Sequence, residues 1–230
     1  MSLPIKHIQK TCLIDYPGKI STIVFLAGCN FRCGYCHNKS LIVGYEDLKN
    51  INEDEVLKYL ESKKKWIDGV VITGGEPLLY DLKDFIKKIK SLGFLVKLDT
   101  NGSNPKALKS LIDNDLLDYI AMDIKGPLDK YDKITRVSVD INNIKESIKI
   151  IKKFKNYEFR TTVLPLFHTE EDIENIGKLL KDSDLFYIQQ FRPRDCLDQN
   201  FEQEKQFSQK ELEKFKDILK KYIKKVEIRS

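Results

Sequence analysis

Val70-Val71-Ile72-Thr73-Gly74-Gly75-Glu76-Pro77 reads as a short strand that runs directly into a glycine pair and a proline. The residues ahead of the glycines are apolar or β-branched without polar alternation, the pattern of a strand covered on both faces. A helix follows from Asp81 to Leu92 and stops at Gly93. Working outward, the same unit recurs. Phe94 to Leu98 is a strand that ends in Asp99-Thr100-Asn101-Gly102, and Pro105 starts a helix to Asn114. Tyr119 to Ile124 is a strand with Asp123 and Lys125 at its end, followed by a helix from Ile141 to Phe154. Strands at Phe159–Leu164 and Phe186–Phe191 alternate with helices at Glu170–Leu180 and Gln209–Tyr222, and Val226 to Ile228 is a terminal strand. Upstream, Ile20 to Leu26 is a strand, Cys29 to Leu41 a polar loop, and Asn52 caps a helix that runs to Lys64.

Six strands alternating with helices predict an α/β fold, a partial (β/α)6 TIM-like barrel. Cys29, Gly74, Asp99, Asp123 and Gln190 all fall at or just past the C-terminal ends of strands, the edge on which parallel β/α folds build their sites. No Gly/Ser/Pro-rich linker or low-complexity segment divides the chain. The expectation is therefore one domain over residues 1–230, with a C-terminal helix extension.

Composition narrows the function classes. With 41% hydrophobic and 33% charged residues among 230, the chain has the apolar content for a core, which excludes a disordered protein. The longest apolar run, Ile23 to Ala27, is far short of the roughly 20 residues a membrane helix needs. No secretory leader is visible, so a cytoplasmic location is expected. The net charge of +5 comes from lysines and glutamates interspersed along helices, a solvated surface rather than a nucleic-acid-binding one.

Cys29-Asn30-Phe31-Arg32-Cys33-Gly34-Tyr35-Cys36 sets three cysteines at C-x3-C-x2-C spacing, followed by His37. In a reducing compartment a tight cysteine cluster points to metal or catalysis rather than disulfides. Three soft thiolates suit zinc or an iron–sulfur cluster. His37 could close a Cys3His zinc site, whereas three thiolates on a cubane leave one iron open. On spacing alone the two stay equally open. Cys12 and Cys196 read as isolated structural thiols, His7 as a surface residue and His168 as a loop or capping histidine.

The C-x3-C-x-aromatic-C loop resembles the signature of the radical S-adenosylmethionine (SAM) superfamily, and Thr73-Gly74-Gly75-Glu76-Pro77 resembles its GGE motif. The resemblance implies that Cys29, Cys33 and Cys36 hold a [4Fe-4S] cluster whose fourth iron is chelated by SAM. Leu13-Ile14-Asp15-Tyr16-Pro17-Gly18, Cys36-His37-Asn38, Leu98 to Gly102 and Met122-Asp123-Ile124-Lys125 are together similar to the glycyl-radical-enzyme activating branch, above all to activating proteins of anaerobic ribonucleoside-triphosphate reductase and also to those of pyruvate formate-lyase. By that resemblance Tyr35, Cys36 and His37 line the adenine and Gly74, Gly75 and Glu76 meet the methionine end. Asp123, Ile124 and Lys125 would hold the ribose and carboxylate region. Asp99, Thr100 and Asp123 would form a small monovalent-cation site.

The resemblance implies an enzyme of the radical SAM oxidoreductase type. A flavodoxin or ferredoxin reduces the cluster, SAM is cleaved to methionine and a 5′-deoxyadenosyl radical, and the radical takes hydrogen from a glycine of a partner glycyl radical enzyme. Two departures stand out. The branch's Asp-Gly-Pro-Gly is Asp15-Tyr16-Pro17-Gly18 here, a segment that bears on partner recognition. A histidine on the last barrel strand of formate-lyase activases gives way to Gln189-Gln190, of which Gln190 is expected to supply the equivalent hydrogen bond. Two alternatives remain: a radical SAM enzyme acting on a small heterocycle or on RNA, and a Cys3His zinc interaction module.

Overall fold

The structure, a computed structural model, describes residues 2–229, which group into two compact units. The first comprises residues 2–30, 40–100 and 104–120. It contains β1 (Ile5–Cys12), β2 (Ser21–Leu26), α1 (Glu53–Ser62), β3 (Gly69–Gly74), α2 (Lys83–Ser91), β4 (Leu95–Thr100), α3 (Pro105–Asp113) and the start of β5 (Tyr119–Asp123). β2, β3 and β4 run parallel in that order, and β1 pairs antiparallel with β2.

Register explains the burial. Ile23, Val71 and Lys97 stand side by side on one face, and Val24, Ile72 and Leu98 on the other. The latter three are fully buried, each contributing about 1.5–3 kcal/mol through apolar burial. On the first face Ile23 and Val71 form a cluster with Cys12 and Tyr16, against which Phe25, Leu95 and Tyr119 pack. Helix starts follow the expected capping chemistry. The side chains of Asn52 and Asn104 accept hydrogen bonds from the amides of Asp54 and Ala107, and Pro105 opens α3.

The second unit comprises residues 31–39, 101–103 and 121–229. After the end of β5 it contains α4 (Tyr131–Thr135), α5 (Ile141–Ile151), β6 (Tyr157–Val163), α6 (Glu170–Leu179), β7 (Leu185–Gln190), α7 (Gln209–Leu219) and β8 (Lys225–Arg229). β6, β7 and β8 are parallel. Reciprocal capping boxes, Thr169 with Asp172 and Ser208 with Glu211, start α6 and α7.

The sequence reading needs three corrections. It overlooked β1, so the strand at Ser21–Leu26 is the second rather than the first. β1 is an edge strand with charged or polar outward residues (Lys6, Gln9, Lys10) and two register irregularities, so its apolar alternation is weak. It also overlooked α4, too short to show helical periodicity. β4 runs through Thr100, which puts Asp99 inside the strand rather than beyond it. No helix among the described residues is long and apolar enough to cross a membrane.

Candidate functional site

In the first unit the C-terminal ends of β2 and β3 are joined by backbone. Gly75 N–H donates to Leu26 O (2.8 Å) and Glu76 N–H to Gly28 O (2.8 Å). Gly28 N–H donates to Leu41 O (2.7 Å), and the Tyr80 hydroxyl to Ala27 O (2.9 Å). These bonds frame the residues immediately before Cys29. The glycine pair is obligatory here. A Cβ on Gly75 would lie 1.8 Å from Gly28 O, and Gly74 has φ +120° with the Leu26 carbonyl 2.2 Å from where its Cβ would sit. Glu76 is 1% exposed, and its Oε1 accepts from Leu78 N–H (3.1 Å) and from the Thr100 hydroxyl (2.8 Å). Glu76 thus caps the turn Pro77–Leu79 and ties it to the end of β4. One residue earlier on β4, Asp99 is paired with the buried ammonium of Lys97.

In the second unit the loop Phe31–Lys39 is held by its own backbone bonds. Arg32 N–H donates to Thr135 O (2.8 Å), while Asp198 N–H and Leu197 N–H donate to Gly34 O and Cys36 O (2.9 Å each). The Tyr35 ring is enclosed by Phe167, Phe191 and Phe201, with centroids 6.2–6.5 Å away. His37 stacks on Phe191 (6.1 Å, 19°), and its Nε2–H donates to Arg192 O (2.8 Å).

Charge is concentrated at the end of β5. Asp123 accepts from Arg160 Nε (2.6 Å) and pairs with Lys125 Nζ (3.5 Å), so two cations face one carboxylate. Burial works to raise the Asp123 pKa, but the charges of Arg160 and Lys125 outweigh it and hold the carboxyl well below the usual range. Burial likewise opposes the charged form of Lys125, and Asp123 with the nearby Tyr35 and cysteines overcomes it, leaving the ammonium firmly charged. Burial pushes the Cys33 and Cys36 thiols up, and Lys125 pulls both part of the way back. Cys33 and Cys36 are thus soft donors beside a fixed cation, a donor chemistry that fits an iron–sulfur group. Among the described residues no three His, Cys, Asp or Glu side chains are gathered closely enough to hold a metal ion, so spacing and chemistry carry the assignment rather than a preassembled cage.

Gln190 ends β7. Its Nε2 donates to Phe207 O (2.6 Å), while the buried Oε1 has no hydrogen-bond partner among the described residues, an acceptor fixed in place. Ile124 is fully buried, with its amide on Arg160 O and its carbonyl on the Thr161 hydroxyl, so it sets the spacing of Asp123 and Lys125. His168 is structural, as expected. Nδ1 accepts from Leu164 N–H (3.1 Å) and Nε2–H donates to Lys125 O (3.1 Å). Burial lowers its pKa to about 4. Tyr16, the departure from the Asp-Gly-Pro-Gly pattern, is 4% exposed and packs on Tyr119 and against Gly69, whereas its neighbours Leu13 and Ile14 are 70% and 80% exposed. Sequence reasoning missed Arg160, Lys97 and the three phenylalanines around Tyr35. Arg160 and Lys97 sit inside strands without a motif, though a lysine two residues before Asp99 in an otherwise apolar strand was a readable signal.

The Radical SAM superfamily model matches residues 23–181. The chain is 41% identical, over all of its length and 97% of the relative's, to a protein of Methanocaldococcus jannaschii named "putative glycyl-radical enzyme activating enzyme". It is 35% identical to the pyruvate formate-lyase-activating enzyme of Clostridium pasteurianum, over 53% of this chain and 52% of the relative. It is 30% identical to the 7-carboxy-7-deazaguanine synthase of Clostridium acetobutylicum, over 73% and 82%. Among solved structures, Streptococcus suis SuiB bound to S-adenosylmethionine has the same fold, with a TM-score of 0.64 at 14% identity over 88% of this chain and 48% of that one. The α/β fold expected from the sequence is the fold these likenesses share.

Proposed function

The chain belongs to the radical SAM superfamily, whose members use a [4Fe-4S] cluster and SAM, and from that premise we propose that it activates a glycyl radical enzyme. The observation that carries this reading is the full-length likeness to the Methanocaldococcus jannaschii protein, supported by the partial likeness to a pyruvate formate-lyase-activating enzyme. In this reading Cys29, Cys33 and Cys36 hold the cluster. When bound, cluster and SAM supply an electron and then the radical that removes hydrogen from a glycine Cα of the partner.

The chain's own residues bind and orient. Lys125 and Arg160, in charge excess over Asp123, attract the carboxylate of SAM. Gln190 Oε1 accepts from the adenine amino group, its orientation set by Phe207 O. The Tyr35 ring is committed to packing among Phe167, Phe191 and Phe201, which leaves the main chain around Tyr35, Cys36 and His37 to border the adenine. Gly74 and Gly75 set the backbone beside Cys29, and Glu76 holds that backbone through Leu78 and Thr100. The partner extends to an anaerobic ribonucleoside-triphosphate reductase, and a flavodoxin or ferredoxin supplies the electron.

The test is anaerobic reconstitution of the full-length protein, followed by SAM, a low-potential reductant and co-expressed glycyl radical enzymes. Deoxyadenosine together with a glycyl-radical EPR doublet on the partner is the expected result. A second reading, turnover of a small heterocycle, draws on the likeness to the deazaguanine synthase. SAM cleavage coupled to such a molecule, with no protein radical, would replace the activase reading with that one.

A further inference from the structure

The resemblance assigns a small monovalent cation to Asp99, Thr100 and Asp123, and the side chains of this protein do not fit one. Each of the three already has a partner of its own. Asp99 is paired with Lys97, Thr100 donates its hydroxyl proton to Glu76, and Asp123 is held between Arg160 and Lys125.

Lys97 is the unusual member. It lies in the middle of β4, in register with Ile23 and Val71 on the face that also carries Tyr16 and Tyr119. Its side chain is 1% exposed and its ammonium lies 5.9 Å from the Tyr119 ring centroid. Burying an ammonium side chain is costly unless an anion meets it. Two residues on, and therefore on the same face, Asp99 is that anion. Releasing Asp99 to a free metal ion would leave the buried Lys97 without the carboxylate it is paired with here. A sodium or potassium ion also needs a shell of oxygens, and the Asp99 Oδ1 that such a shell would draw on already accepts from the Lys97 ammonium. The lysine is tethered to the strand, so it reaches Asp99 without the entropy loss of capturing a dissolved ion.

We propose that the Lys97 ammonium is this protein's own built-in cation at Asp99, and that no sodium or potassium ion binds there. Lys97 is then a positioning residue, holding the Asp99 carboxylate neutralised and in place under any salt. The inference rests on membership of the superfamily but not on the activase reading.

The full-length protein, cluster reconstituted, is compared in sodium, potassium and tetramethylammonium chloride at equal ionic strength. Melting temperature, SAM affinity by equilibrium dialysis and sodium-23 NMR line width are the readouts. The wild type should melt alike in all three salts, bind SAM within twofold, and show no saturable sodium broadening. Lys97→Met leaves the carboxylate without its partner. That variant should melt higher in sodium or potassium than in tetramethylammonium, and should broaden the sodium line. Saturable sodium broadening in the wild type, or SAM binding tightened tenfold or more by sodium or potassium, overturns the proposal. So does a folded Lys97→Met protein that remains indifferent to the cation. If Lys97→Met fails to fold, the wild-type measurements decide alone. A cation-indifferent wild type that generates no glycyl radical would leave this inference standing while the activase reading falls.

Discussion

The two units of the molecule hold their motif residues by different means. In the first, the functional stretch is made of backbone. Gly74 and Gly75 let main chains approach each other, and the acidic side chains nearby are occupied, Glu76 with Leu78 and Thr100, Asp99 with Lys97. In the second, side chains carry the chemistry: two thiols, an aromatic enclosure and a carboxylate outnumbered by cations. The first unit carries Cys29 and tight backbone turns with paired acidic side chains, and the second carries Cys33, Cys36 and a local excess of cations. Substitutions in the first should therefore act through stability, and those in the second through binding and chemistry at nearly constant stability.

The strongest challenge to that contrast is Cys33→Ser or Cys36→Ser. Either should reduce iron content and deoxyadenosine formation to background, while circular dichroism and melting change little, because a serine replaces each thiol with nearly equal volume. A collapse of the fold instead would erase the distinction between the units. Gly75→Ala should show the opposite profile. With 1.8 Å between the new Cβ and Gly28 O, the strap before Cys29 must shift, at a cost of about 3 kcal/mol or more in urea unfolding. Iron loading should fall with it, as a consequence of the lost fold.

Lys125→Met sharpens the assignment of charge to the second unit. Asp123 retains Arg160, so the protein should fold, while SAM binding weakens by about 2 kcal/mol, some thirtyfold. Equilibrium dialysis checks this, and unchanged affinity would remove Lys125 from the site. A smaller effect concerns His168, whose pKa falls from 6.5 to about 4 because burial disfavours the imidazolium. The unfolded chain takes up the proton first, so stability is fully present above pH 6.5 and is lost as the pH falls towards 4, by at most about 1.4 kcal/mol per pH unit. His168→Gln should flatten that part of the stability profile. The smallest effect is expected at Leu13→Ser or Ile14→Ser. Both residues are exposed, so stability should change by no more than about 0.5 kcal/mol, whereas Tyr16→Ala beside them should cost about 3 kcal/mol.

The parallel strands and their helices were legible because burial on both faces leaves unbroken apolar runs, and because caps such as Asn52, Pro105 and Gly93 punctuate the helices. β1 was not, since an edge strand needs no continuous apolar pattern. The candidate site showed in the sequence as motifs of fixed spacing, Cys29, Cys33 and Cys36 and Gly74-Gly75-Glu76. Partnerships across distant strands were hidden. Nothing local in the sequence says that Arg160 reaches Asp123 from 37 positions away, or that Phe167, Phe191 and Phe201 enclose Tyr35. Glu76 shows the limit of motif reading, because its side chain stabilises a turn as well as marking a familiar signature.

The hydrogen bonds from Leu197 and Asp198 to Cys36 and Gly34 have a bearing on biosynthesis. A ribosome that has just made the cysteine loop must translate about 160 further residues before the chain that braces it exists, roughly ten to thirty seconds at ordinary elongation rates. During that interval the thiols are tethered to a nascent chain without their scaffold. A product terminated before Leu197 would have the cysteines but not these two braces for their loop.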